Sequence, residues 1–122
     1  MKKIAVGCIV LFAAFAMASA GAANAADFPK KRITYNICYN PGGESDITAR
    51  LQEQDLKKYL GADVVIQYKI GGGGALCWSE LVQTAPDGYT IAGHNLPHII
   101  LHPLEMGNTG YKTQDLTTIY HF

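Results

Sequence analysis

Two glycine loops offer most of the chemistry in this sequence. Pro41-Gly42-Gly43-Glu44-Ser45-Asp46 follows one strand-like run, and Gly71-Gly72-Gly73-Gly74 follows another. Glycine leaves backbone N–H groups bare, and a helix starting just beyond such a turn adds the positive end of its dipole. That combination suits a carboxylate or a phosphate. A plain tight turn has the same composition and outweighs a ligand site for one loop alone; two loops in one short chain bring the readings level. Glu44 places a negative charge beside the first loop, and Asp46 is expected to cap its own helix. Nucleotide motifs are not matched. The second loop lacks the Lys-Ser/Thr of a phosphate loop, and its spacing is not that of a dinucleotide fingerprint.

His94, His98 and His102 stand four apart, which on one continuous helix would put three imidazoles on one face. Pro97 and Pro103 argue against that helix. Pro97 reads as a first helical residue, which leaves His94 in the preceding loop. No metal or cofactor is expected, and Ser45 has no histidine near it in sequence to activate it. Cys38 and Cys77 fit a disulfide in an oxidising compartment. They equally fit two buried small residues, one in a strand and one in a helix, because sequence does not give the Cα separation.

The elements around these residues are readable. Arg32 to Tyr39 alternates Ile33, Tyr35, Ile37 and Tyr39 against Thr34, Asn36 and Cys38, the period of a β-strand. Ser45 reads as the N-cap of a helix running to Leu60, with Lys57 and Lys58 in its last turn and Gly61 as its stop. Val64 to Ile70 is a second strand, Ala75 to Ala85 a second helix and Tyr89 to Ala92 a third strand. A helix from Pro97 to Met106 and a last strand over Leu116 to Tyr120 complete a β-α-β-α-β-α-β order. This is an α/β pattern, a mostly parallel sheet with helical crossovers. Parallel sheets need both faces covered, and the closing run Thr117 to Phe122 has no helix after it. The chain therefore reads as truncated.

The first 25 residues read as a cleaved leader. Lys2 and Lys3 precede an uncharged apolar run from Ile4 to Met17, and Ala23-Asn24-Ala25 fits the signal peptidase rule. The apolar stretch is shorter than the ~20 residues of a spanning helix, and Cys8 comes too early for a lipoprotein box. Export to the periplasm is expected, without stable membrane insertion after cleavage. About 97 residues would remain, enough for one small domain. The precursor has ten basic and ten acidic residues; losing Lys2 and Lys3, with no acid among the first 25, takes the net charge from zero to −2. No basic field is present to attract nucleic acid, and Lys30-Lys31-Arg32 reads as a solvated strand edge.

Four segments resemble the periplasmic receptors of tripartite tricarboxylate transporters. Pro41-Gly42-Gly43-Glu44-Ser45-Asp46 with Ala49-Arg50 is similar to that family's first loop and helix, and Gly71 to Gly74 to its second glycine-rich loop. Ala85-Pro86-Asp87-Gly88-Tyr89-Thr90 resembles its turn into the third strand, and Tyr111-Lys112-Thr113 its approach to the next. The resemblance implies lobe one, over residues 26–122, of a two-lobed type II periplasmic-binding-protein-like fold, with lobe two absent. It further implies a non-enzymatic receptor that binds a small organic carboxylate and delivers it to a tripartite membrane permease. By the same resemblance Gly42, Gly43, Glu44, Ser45, Asp46, Gly72, Gly73 and Gly74 line the cleft, with His94 and Asn95 as a third wall. Glu44 and Ile70 depart from the family's usual glycine, serine or proline. Two other readings predict different behaviour: an exported enzyme fragment would turn over an anionic substrate, and a non-functional reading frame would be poorly soluble through its open sheet edge.

Overall fold

The computed structural model describes residues 28–120. The leader expected over residues 1–25 lies outside them. Strand β1 spans Ile33–Ile37, helix α1 Glu44–Leu60, β2 Val64–Tyr68, α2 Ala75–Leu81, β3 Thr90–Ala92 and α3 His98–Glu105. Single 3-10 turns occupy Gly72–Gly74, just before α2, and Thr113–Asp115. The sheet order is β2-β1-β3, with both pairings parallel. Ile33 sits beside Val64 and Thr34 beside Thr90, so every strand leaves the sheet at the same rim. Because that rim also feeds the helix N-termini, the geometry concentrates bare N–H groups there.

The alternation through β1 and into Cys38 just after it sorts side chains to two cores. Ile33, Tyr35 and Ile37 join Ala49 of α1 and Val64 of β2 on one face. Cys38, Ala75, Cys77, Trp78, Ile99 and Tyr111 form the other core, beneath α2 and α3. Trp78 is 1% exposed, and its indole N–H donates to the Gly93 carbonyl at 3.1 Å. Burying so large a ring with its polar atom served makes it a principal anchor of that face. Cys38 and Cys77 form a disulfide, with Cα atoms 5.2 Å apart, which settles the alternative left open by the sequence.

Two local expectations are corrected. Ser45 does not cap α1: Gly43 holds the cap position, and the helix begins at Glu44, two residues earlier than a Ser45 cap would place it. Its C-terminal stop is as read, with Gly61 at φ +66° donating its N–H to Lys57 O. The last strand over Leu116 to Tyr120 does not form. A strand needs a ladder partner for its backbone groups, and here the segment is turned by a 3-10 turn whose Asp115 carboxylate accepts the Lys112 N–H at 3.2 Å. Leu116 packs on the second core, while Ile119 and Tyr120 stay exposed.

Pro103 lies inside α3 and has no N–H for the carbonyl four residues earlier, that of Ile99. Two hydroxyls serve that carbonyl instead, Tyr111 at 3.2 Å and Thr113 at 2.8 Å. The substitution of donors explains how a proline is accommodated in an eight-residue helix.

Candidate functional site

A cleft of about 540 Å³ opens at the rim where β1 and β3 end. It is lined by Tyr39, Asn40, Pro41, Gly42, Gly43, Glu44, Ser45, Asn95 and His98. Its size falls within the usual range of small-molecule sites, about 300–1,000 Å³. Gly42 turns the chain at φ +83°, and Gly43 then caps α1 in an extended conformation. The first-turn N–H groups of a helix have no intrahelical acceptor. Here those of Gly43, Glu44 and Ser45 meet no acceptor among the described residues, whereas Asp46 and Ile47 already donate to Gly43 O. No lysine or arginine lines the cleft and Glu44 does, so the groups there that favour an anion are backbone N–H groups and the positive end of the dipole of a seventeen-residue helix.

The opposite wall is tied to this one. The Ser45 hydroxyl donates to Asn95 Oδ1 at 3.2 Å, joining α1 to the segment after β3. Tyr39 forms the floor between the glycine loops: its hydroxyl donates to the Gly73 carbonyl at 3.1 Å, and its ring meets His98 edge-on. Partial burial raises the Tyr39 phenol above its ordinary pKa, so it stays a neutral donor.

Of the ten residues expected at the site, Gly42, Gly43, Glu44, Ser45 and Asn95 are brought to one cleft. Asp46 is not on its lining. Its carboxylate is buried and turned inward, accepting the Gly42 N–H at 2.7 Å on one oxygen. The Tyr68 hydroxyl and Arg50 Nε donate to the other, at 2.7 and 2.9 Å. The Gly42 N–H, then the Tyr68 hydroxyl, with a further contribution from Arg50, holds this carboxyl below the usual aspartate range. Gly72, Gly73 and Gly74 stand behind Tyr39 rather than on the cleft wall. A Cβ at Gly74 would lie 2.7 Å from Trp78, and one at Gly73 2.7 Å from His102, so these glycines permit close packing. His94 lies in the loop before α3 and is not on the lining.

Sequence reasoning misses Tyr39, Asn40 and His98. The available signal for Tyr39 is its place as the last aromatic of the first strand-like run, and His98 stands out in the sequence only for metal binding. His98 and His102 do share a face of α3, with ring centroids 5.7 Å apart. Among the described residues, no three metal-ligating side chains converge.

A family profile described as "Tripartite tricarboxylate transporter family receptor" matches residues 48–122. The chain is 40% identical over 75 residues to the UPF0065 protein in the gbd 5' region of Cupriavidus necator, covering 62% of this chain and 23% of that one. MatC from Rhodopseudomonas palustris, solved with bound malate, superposes with a TM-score of 0.71 at 28% identity, over 75% of this chain and 32% of that one. R. palustris Rpa4515, solved with adipate, gives 0.56 at 30% identity, over 60% and 24%. The chain thus spans about a quarter of the length of the curated relatives it matches. With the family match reaching from within α1 to the final residue, this chain belongs to the receptor family of the tripartite tricarboxylate transporters.

Proposed function

We propose that the chain supplies one wall of a periplasmic receptor for a small organic carboxylate, which it delivers to a tripartite membrane permease. One observation carries this reading: the unserved N–H groups of Gly43, Glu44 and Ser45 lie at the start of α1, in residues that line a cleft with no lysine or arginine. Such donors hold an anion without the cost of ordering a long cationic side chain. The bound malate and adipate of the two structural relatives supply the ligand class. The N–H groups of Gly43, Glu44 and Ser45, with Asn95, contact the carboxylate, Gly42 makes the turn that presents them, and the Glu44 side chain selects against extra negative charge. Gly72 to Gly74 act from behind by seating Tyr39.

Isothermal titration with malate, adipate and their uncharged diamides tests the reading. Weak binding of an acid is expected, because the chain supplies one wall, with the diamide at least tenfold weaker still. Equal binding of acid and diamide, binding of neither, or chemical turnover of the acid would sink it. Export through the leader at residues 1–25 belongs to the same proposal, and the N-terminus of protein recovered from the periplasm is expected at Ala26.

A further inference from the structure

Tyr68 closes β2, stands off the cleft lining, and belongs to none of the loops that bound the ligand site. Its hydroxyl nevertheless donates to Asp46 Oδ1 at 2.7 Å and accepts from Arg50 Nη2 at 2.7 Å. Arg50 Nε reaches the same Asp46 oxygen at 2.9 Å, and Asp46 Oδ2 takes the Gly42 N–H at 2.7 Å. The chain of contacts therefore runs from a strand, through a buried carboxylate, to the glycine that begins the ligand loop. A carboxylate at the third helical position reaching back past the cap would need only its bond to the Gly42 N–H. The additional donors from β2 and from the next turn of α1 fix the carboxylate in two further directions. Gly42 has open space where a Cβ would stand, so no side chain packs on that side of its turn. Its N–H is fixed by the bond to Asp46.

We propose that Tyr68 and Arg50 are positioning residues of the carboxylate site, clamping Asp46 so that the Gly42–Ser45 loop presents its free N–H groups, while Asp46 itself never touches ligand. The proposal rests on the receptor reading above and adds to it residues that lie outside the cleft. It makes an unusual prediction of sign. If Asp46 faced the ligand, neutralising it would relieve repulsion and strengthen carboxylate binding. As the clamp, its replacement by asparagine turns one of its two acceptor oxygens into a donor, facing either the Gly42 N–H or the Tyr68 and Arg50 donors, and weakens binding.

The test uses the full chain with Tyr68→Phe, Asp46→Asn and, as a second probe of the clamp, Arg50→Gln. Malate and adipate binding is measured by calorimetry, and the Gly42 amide is followed by NMR through an acid titration. Tyr68→Phe is expected to weaken both acids about three- to tenfold, with Asp46→Asn weaker still and circular dichroism unchanged. The Gly42 amide is expected to report the Asp46 titration, at a higher pH in Tyr68→Phe and in Arg50→Gln. Unchanged affinity in Tyr68→Phe, tighter binding in Asp46→Asn, or an unmoved Gly42 titration would overturn the proposal. Failure of the unaltered chain to bind either acid would sink the receptor reading instead, and the Gly42 titration would then decide the clamp alone.

Discussion

The Tyr111 hydroxyl donates to the carbonyl of Ile99, the acceptor that Pro103 leaves without its helical donor. Thr113 makes the second bond to the same oxygen. Removing both hydroxyls, in Tyr111→Phe with Thr113→Val, orphans a carbonyl in the second core and is expected to cost about 1–3 kcal/mol in urea denaturation. Adding Pro103→Ala restores an N–H donor and should recover part of that loss. A triple variant no more stable than the double one would rule out this accounting.

Ser45 and Asn95 join the two walls of the cleft. Ser45→Ala is expected to weaken malate binding about two- to tenfold with little change in unfolding midpoint, and Asn95→Asp to weaken it further by adding a negative charge near Glu44. Calorimetry on the two variants checks both. Equal or tighter binding by Asn95→Asp would contradict an anion-holding cleft.

The disulfide closes a sequence separation of 39 residues. Loop-closure entropy in the unfolded chain makes it worth about 4 kcal/mol. Cys38→Ser with Cys77→Ser should therefore unfold at clearly lower urea than the oxidised chain, and dithiothreitol should bring the unaltered chain close to the variant. Insensitivity to reductant would mean the thiols are not joined in solution.

Two glycines with positive φ should respond unequally to alanine. At Gly42 an added methyl would find no atom within 4 Å, so Gly42→Ala meets only backbone strain, about 1–2 kcal/mol. Gly74, at φ +103°, would also drive its methyl to 2.7 Å from the Trp78 ring, so overpacking adds about 1–3 kcal/mol more. Denaturation curves should rank Gly74→Ala well below Gly42→Ala. Equal losses would show that Trp78 moves aside freely.

Acid should act through Asp46. Its folded carboxyl lies below its unfolded value, because the Gly42 N–H, then Tyr68, with a further contribution from Arg50, favours the charged form. Its contribution to stability is therefore complete above the unfolded pKa, near 4, and is lost as pH falls through the lower folded pKa. Asp46→Asn should show a flatter decline in stability across that acid window than the unaltered chain. Parallel declines would remove Asp46 as a source of acid sensitivity.

Much of the fold is legible in the sequence because its signals are local. The period of two in Ile33-Thr34-Tyr35-Asn36-Ile37 and the glycine stop at Gly61 depend on neighbours within a few residues. The missing last strand is not legible, since pairing depends on a partner distant in sequence, and Tyr111 and Thr113 are instead engaged with Ile99. The first loop is visible as a ligand candidate from glycine and a following helix. That Asp46 turns inward is not, because its partners Tyr68 and Arg50 come from a different strand and a later helical turn. Nor does spacing reveal that Tyr39 stands between the glycine loops.

Because all three strands run the same way, their starting ends lie together on the rim remote from the cleft. Ala62-Asp63 and Gly88-Tyr89 enter the sheet there, opposite the exits that lead to Gly42 and Asn95. A dye or surface tether attached through a cysteine at Ala62 would leave the cleft unobstructed, giving a handle for testing immobilised protein against candidate ligands.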